Sequence, residues 1–209
     1  MIRVKEVSLT IKEQLILDNI SMEAQAGEAV GLIGGNGSGK TMLMKCICGF
    51  NTVYTGEIKV NGKIVREDVE FPENTSFIIE TPGFIPYMTG FENLKILAKI
   101  KNIISDEEIR NYMELVGLDP YSKKSVKKYS LGMRQRLGIA QALMENPDLL
   151  ILDEPFNGLD KNMVSRMRDV LIEEKQKGKT ILLVSHNEKD IEYICDRFYE
   201  IDGGEIINA

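Results

Sequence analysis

A chain of 209 residues, 43% of them apolar, can bury one sizeable core and leaves no room for a second enzyme-sized domain. Its 32 acidic residues outnumber 26 basic ones, for a formal net charge of −6. Nucleic acid is therefore disfavoured as a partner, although Lys123, Lys124, Lys127 and Lys128 make a local basic patch.

The first residues, Met1 to Val7, alternate apolar and charged side chains like a strand rather than a signal peptide. No apolar run approaches the roughly 20 residues of a spanning helix, so a cytosolic protein is expected. Short segments rich in Val, Ile and Leu follow at Ile2–Thr10, Leu15–Met22, Ala29–Ile33 and Glu57–Val60, and read as strands. One helix interrupts them, from Lys40 to about Gly49. It carries Cys46 and Cys48; with Cys195 they make an odd number without CxxC spacing, so neither disulfides nor a zinc site is indicated. Asn61-Gly62 is the pair preferred in two-residue hairpin turns. From Thr89 to about Asn146 the period becomes helical. Thr89 with Glu92 and Ser105 with Glu108 are spaced as capping boxes, and Gly117 reads as a helix stop. After Pro147 strand and helix alternate: strand Leu149–Asp153, helix Lys161–Lys177, strand Thr180–Ser185, a short helix from Glu188 and a hairpin around Asp202-Gly203-Gly204. The expected fold is α/β, with residues 1–83 and 147–209 forming the core and an antiparallel β part, and 84–146 an inserted helical lobe.

Two segments carry chemistry. Gly34-Gly35-Asn36-Gly37-Ser38-Gly39-Lys40-Thr41 fits GxxxxGK[ST] directly after a strand and at the start of a helix, where backbone N–H groups and the helix N-terminus can cradle phosphates. Lys40 would reach the β- and γ-phosphates and Thr41 would offer its hydroxyl to Mg²⁺. The apolar strand Leu149–Leu152 ends in Asp153-Glu154. Two carboxylates beside a triphosphate repel it by about 4 kcal/mol per close pair at an effective dielectric near 20, so a divalent cation has to intervene. Asp153 then holds Mg²⁺ and Glu154 orients or deprotonates the attacking water.

With these motifs in order, the chain resembles the ATP-binding cassette (ABC) family over essentially its whole length. Tyr129-Ser130-Leu131-Gly132-Met133-Arg134-Gln135-Arg136 is similar to the signature LSGGQ with its following xQR, departing at Tyr129, Leu131 and Met133. Asn157-Gly158-Leu159-Asp160 resembles the D-loop, and Val184-Ser185-His186 the switch-histidine segment, His186 being the only histidine. The resemblance implies a P-loop NTPase fold with a mostly parallel core sheet. It also implies ATP and Mg²⁺ as ligands, and head-to-tail closure of two cassettes with ATP between Lys40 of one and Ser130 and Gly132 of the other. Asp160 is expected at the nucleotide interface. The implied partner is a separate integral membrane permease, which would hold the protein on the inner face of the cell membrane. Glu80, in Phe77-Ile78-Ile79-Glu80-Thr81-Pro82-Gly83-Phe84, stands where the family carries a glutamine. A carboxylate cannot donate the amide's hydrogen bond but binds Mg²⁺ or water more strongly. This departure resembles the lantibiotic-immunity and bacitracin-export subgroup, which implies export of a peptide antibiotic. The adenine-stacking aromatic of the family aligns with Ile11. Phe84, Ile85, Tyr87, Met88 and Phe91 are read either as core of the helical lobe or as part of a groove for a permease helix. A GTPase is the poorer alternative, since Asn187-Glu188-Lys189-Asp190 has its lysine one place late for NKxD. A non-transport ABC ATPase, as in iron–sulfur assembly, is compatible with this length.

Overall fold

The computed structural model describes residues 1–80 and 82–209. The chain begins with β1 (Ile2–Ile11) and β2 (Gln14–Ala24), paired antiparallel. In β1 the buried residues change phase, from Ile2 and Val4 to Val7 and Leu9. A period of two cannot do this without an extra residue, and Glu6, at φ 51°, supplies it as the register shifts between Val4 and Val7. Next come β3 (Ala29–Ile33), α1 (Lys40–Ile47), β4 (Tyr54–Val60), β5 (Lys63–Ile64) and β6 (Thr75–Ile78). Asn61 and Gly62 both take positive φ, as the hairpin joining β4 to β5 requires.

The helical stretch resolves into α2 (Gly90–Lys101), α3 (Asp106–Leu115), a 3-10 turn at Val126–Lys128 and α4 (Leu131–Leu143). Both expected capping boxes form: Thr89 and Ser105 accept from the Glu92 and Glu108 amides, and each glutamate returns a bond to the cap. The last part holds β7 (Leu149–Asp153), α5 (Lys161–Gln176), β8 (Thr180–Val184), α6 (Glu188–Ile194), β9 (Arg197–Asp202) and β10 (Glu205–Asn208).

Two sheets result, a four-stranded antiparallel one in the order β2-β1-β4-β5 and a six-stranded one in the order β10-β9-β3-β8-β7-β6. In the second, β9 through β6 run parallel and only β10 is antiparallel. All residues of β7 and β8 are buried, as expected of central parallel strands covered on both faces. Alternate residues feed two cores. Leu150, Leu152, Ile181 and Leu183 pack with α2–α6, whereas Leu149, Ile151, Leu182 and Val184 pack with α1 and the antiparallel sheet. Each fully buried Leu or Ile contributes about 1.5–3 kcal/mol.

Phe84 and Phe91 pack against the first of these cores, while Tyr87 is 81% exposed, so the aromatic cluster after Glu80 divides between interior and surface. Thr81, within the Glu-Thr-Pro-Gly-Phe run, lies outside the described residues. Burial pushes the Cys46, Cys48 and Cys195 thiols up to about 12, which fits packed, inert cysteines.

Candidate functional site

Parallel pairing puts four strand ends at one edge of the six-stranded sheet. Leu32 is level with Val184, Val184 with Asp153, and Leu152 with Ile78. The residues that leave these ends are the Gly34–Thr41 loop after β3, His186 after β8, Glu154 after β7 and Glu80 after β6. Open parallel sheets offer their binding crevice at this edge. Here it is a cleft of about 680 Å³ lined by Lys40, Thr41, Glu80, Gln135, Asp153 and His186, among others.

The loop after β3 needs glycine where the backbone turns left-handed against neighbouring chain. At Gly34, φ is 142° and a Cβ would stand 2.0 Å from the Ile201 carbonyl oxygen; at Gly39, φ is 108° and a Cβ would press Leu17 at 2.7 Å. Gly35 and Gly37 face open space. Lys40 is 7% exposed, and its ammonium donates to the Gly34 and Gly35 carbonyls at 2.8 and 2.7 Å and to Ser38 Oγ at 3.2 Å. Burial holds this ammonium below its usual range, opposed by the charges of Asp153 and Glu154.

Thr41 Oγ1 donates to Asp153 Oδ2 at 2.6 Å, joining the first turn of α1 to the end of β7. Glu154 takes φ 50°, a left-handed conformation that costs a non-glycine residue on the order of 1–3 kcal/mol. Its Oε1 is buried with no hydrogen-bond partner among the described residues; His186 Nε2, 3.3 Å away, is within ion-pair range without hydrogen-bond alignment. Burial pushes the Glu154 carboxyl up and neighbouring Asp153 adds to this, while His186 and Lys40 pull it down. Gln135 on α4 donates to the Glu154 carbonyl at 3.2 Å.

His186 follows Ser185, which belongs to a buried chain of polar groups. Ser185 Oγ donates to Asp190 Oδ2 at 2.5 Å and accepts the Asn187 amide at 3.2 Å; Asp190, 2% exposed, takes Arg168 of α5 on its other oxygen. In the sequence Asp190 stands out only as the last residue of the NKxD-like Asn187-Glu188-Lys189-Asp190. The one legible signal of this contact is the spacing of Ser185 and Asp190 around a helix start.

The remaining expected residues lie elsewhere. Ile11 ends β1 opposite Gln14 and does not line the cleft; Gln14 and Ile16 of β2 do. Ser130 caps α4, accepting the Met133 amide at 3.2 Å, and Asp160 caps α5, accepting the Asn162 and Met163 amides. Gly132 lies against its own chain, where a Cβ would meet the Gly158 carbonyl at 2.5 Å. None of these three lines the cleft. Glu80, at φ 61°, lines it and pairs with Lys45 of α1 at 2.5 Å.

The donors suit a magnesium–triphosphate. Among the described residues no three His, Cys, Asp or Glu side chains converge on one point, so a metal here has to be completed by the Thr41 hydroxyl, Asp153 and ligand oxygens. Hard oxygen donors, few from protein, are what Mg²⁺ accepts. Glu154 lies on the cleft wall with one carboxylate oxygen that has no hydrogen-bond partner among the described residues.

Comparison with known proteins agrees. Residues 17–157 match the family model described as ABC transporter. The chain is 43% identical to the uncharacterized ABC transporter ATP-binding protein YybJ of Bacillus subtilis (strain 168), over 99% of this chain and 94% of that one. It is 39% identical to the bacitracin transport ATP-binding protein BcrA of Enterococcus faecalis, over 93% of this chain and 64% of that one, so it spans about two thirds of that relative's length. A solved structure of the ATP-binding subunit of an ABC transporter superposes with a TM-score of 0.88 at 29% identity, over 100% of this chain and 88% of the other. The cleft, the strand order and these relatives agree that the chain belongs to the ABC transporter ATP-binding proteins, a family of ATP-hydrolysing cassettes.

Proposed function

We propose that this cassette hydrolyses Mg-ATP in the cleft at the sheet edge and drives transport through a separate membrane permease, on which it sits peripherally at the inner face of the membrane. The observation that carries this reading is the convergence of Lys40, Thr41, Asp153, Glu154 and His186 on one cleft. Mg²⁺, when bound, supplies charge neutralisation between the phosphates and the acidic strand end. Lys40 gives up its loop carbonyls to reach the β- and γ-phosphates. Thr41 and Asp153, already in contact, would hold the metal. The Glu154 carboxylate accepts a hydrogen bond from the attacking water and takes its proton, which its raised affinity for protons favours. His186, beside Glu154, orients the γ-phosphate end of the site.

Glu80 is assigned to metal or water in this scheme, and Lys45 balances its charge. Ser130, Gly132 and Asp160, outside their own chain's cleft, are assigned to the nucleotide of a second cassette, which is either a copy of this chain or a sister chain. Ile11 is a weaker candidate for the base than Gln14 and Ile16, which line the cleft. For cargo we propose a peptide antibiotic or similar amphipathic compound, moved outward; the name of BcrA and the Glu80 substitution support this.

Glu154→Gln tests the reading. A general base contributes roughly 10²- to 10⁴-fold, so steady-state ATPase should fall by that factor while nucleotide affinity, measured by calorimetry, survives. Light scattering on the same variant should show a dimer only with Mg-ATP. Turnover at the wild-type rate would remove Glu154 from the mechanism.

A further inference from the structure

The four lysines at 123, 124, 127 and 128 have no part in the cleft. They belong to a wider segregation of charge: Pro120 to Met144 contains six basic residues and none of the chain's 32 acidic ones. Arg134 and Arg136 of this segment are turned inward onto the carbonyls of Tyr129, Gly132, Val116 and Gly117. The lysines make no such bonds to carbonyls; the Lys124 ammonium lies 3.8 Å from Met133 Sδ and 6.0 Å over the Tyr129 ring. All four residues are exposed, and among the described residues none has a carboxylate within ion-pair distance. Glu92, which feels the charge of Lys123, is engaged in capping α2, and Asp119 accepts the Tyr121 amide at the start of the loop.

The lysine loop is tied to the loop before α2. Val126 and Lys127 donate their amides to the carbonyls of Met88 and Pro86 at 2.8 and 2.7 Å, and Ser125 bridges Thr89 antiparallel. This brings Tyr87, 81% exposed, beside the lysines, while Tyr121, 68% exposed, precedes them in the same loop. Two outward tyrosines among unpaired lysines are the composition of a membrane–water interface, where the phenol lies at headgroup depth and the lysine stem covers apolar surface beneath its charge. The lysines fall within six residues, too short a run to track a nucleic-acid backbone.

We propose that this edge of the helical lobe, formed by Tyr87, Tyr121 and Lys123, Lys124, Lys127 and Lys128, binds the surface of an anionic phospholipid membrane. The attraction is electrostatic and local, decaying within a Debye length of about 8 Å at physiological salt. It does not depend on the ATPase reading.

Flotation of the purified full chain with phosphatidylglycerol-rich vesicles, against pure phosphatidylcholine vesicles, tests it. Wild type should float with the anionic vesicles alone and be released by high salt. Each lysine near an anionic surface contributes about fivefold in partitioning. Lys123→Gln with Lys124→Gln should therefore weaken binding about 25-fold, and all four substitutions several hundredfold. Lys5→Gln with Lys12→Gln, exposed lysines on β1 and its turn, should change nothing. Tyr87→Ala should weaken binding without altering its salt dependence. Equal flotation with both vesicle types, or undiminished flotation of the four-lysine variant, overturns the proposal. So does failure on vesicles with retained capture of an acidic peptide, which would assign the patch to a protein partner.

Discussion

Glu154→Gln should make the ligand-free protein more stable, by an amount that depends on pH. The side chain is 17% exposed, its Oε1 is buried without a partner, and Asp153 is its neighbour in sequence. Leaving a buried polar group unsatisfied costs about 1–3 kcal/mol, and a charged one more. The amide keeps the shape and removes the charge. At about 2–4 °C per kcal/mol for a chain of this size, the melting temperature should rise by roughly 2–12 °C. The sign follows from the carboxyl being pushed up by burial. At low pH Glu154 is protonated in both folded and unfolded chains and resembles the amide, so the two proteins should melt together. As pH rises through the ordinary carboxylate range, the unfolded chain ionises first and the native state loses stability relative to it. That loss stops once the pH passes the raised folded value. Thermal unfolding by circular dichroism, in chelator and without nucleotide, should show a gap that opens above about pH 4.5 and then levels off. A variant no more stable at pH 8, or a gap of equal size at pH 4 and pH 8, would refute the account of a carboxyl pushed up by burial.

Arg168→Met should destabilise the fold by about 3–5 kcal/mol, because it strands Asp190, which is 2% exposed, as an uncompensated charge; chemical denaturation measures this, and a loss under 1 kcal/mol would mean that Ser185 alone satisfies Asp190. Gly34→Ala should abolish nucleotide binding, since its Cβ would stand 2.0 Å from the Ile201 carbonyl at a φ that alanine rarely adopts; binding of a fluorescent ATP analogue reads the effect, and wild-type affinity would contradict the loop geometry.

How much could be read in advance differs from residue to residue for physical reasons. The phosphate loop and the acidic strand end were legible because their chemistry is local: consecutive amides, or consecutive side chains at one strand end. The capping boxes were legible on the same ground, being closed within four residues. β6 was not delimited as a strand, since Thr75-Ser76-Phe77-Ile78 is short and only Ile78 is buried; parallel pairing with β7 makes it a strand. Ile11 aligned with the base position, yet the tight turn at Lys12 and Glu13, both at positive φ, brings Gln14 and Ile16 to the cleft instead. Nor does sequence show that Arg168, Asp190 and Ser185 meet, because the contact depends on how α5 and α6 pack.

The same distinction separates the fixed part of the site from the part that can move. His186, Glu154 and Glu80 follow strands of one parallel sheet within two residues, so their spacing is set by the hydrogen-bond ladder and by cores on both faces, and Lys40 is fixed by its bonds to the Gly34 and Gly35 carbonyls. The helical lobe reaches this edge through α4: it shares a core with Ile78 and Leu152, Gln135 holds the Glu154 carbonyl, and Gly132 packs on the carbonyl of Gly158, in the segment between β7 and α5. The last two contacts end on backbone next to Glu154 and the Asp160 cap rather than on the Gly34–Thr41 loop. A shift of the lobe would therefore be felt first at Glu154, whose left-handed backbone and unpartnered oxygen leave it least well satisfied by its own chain.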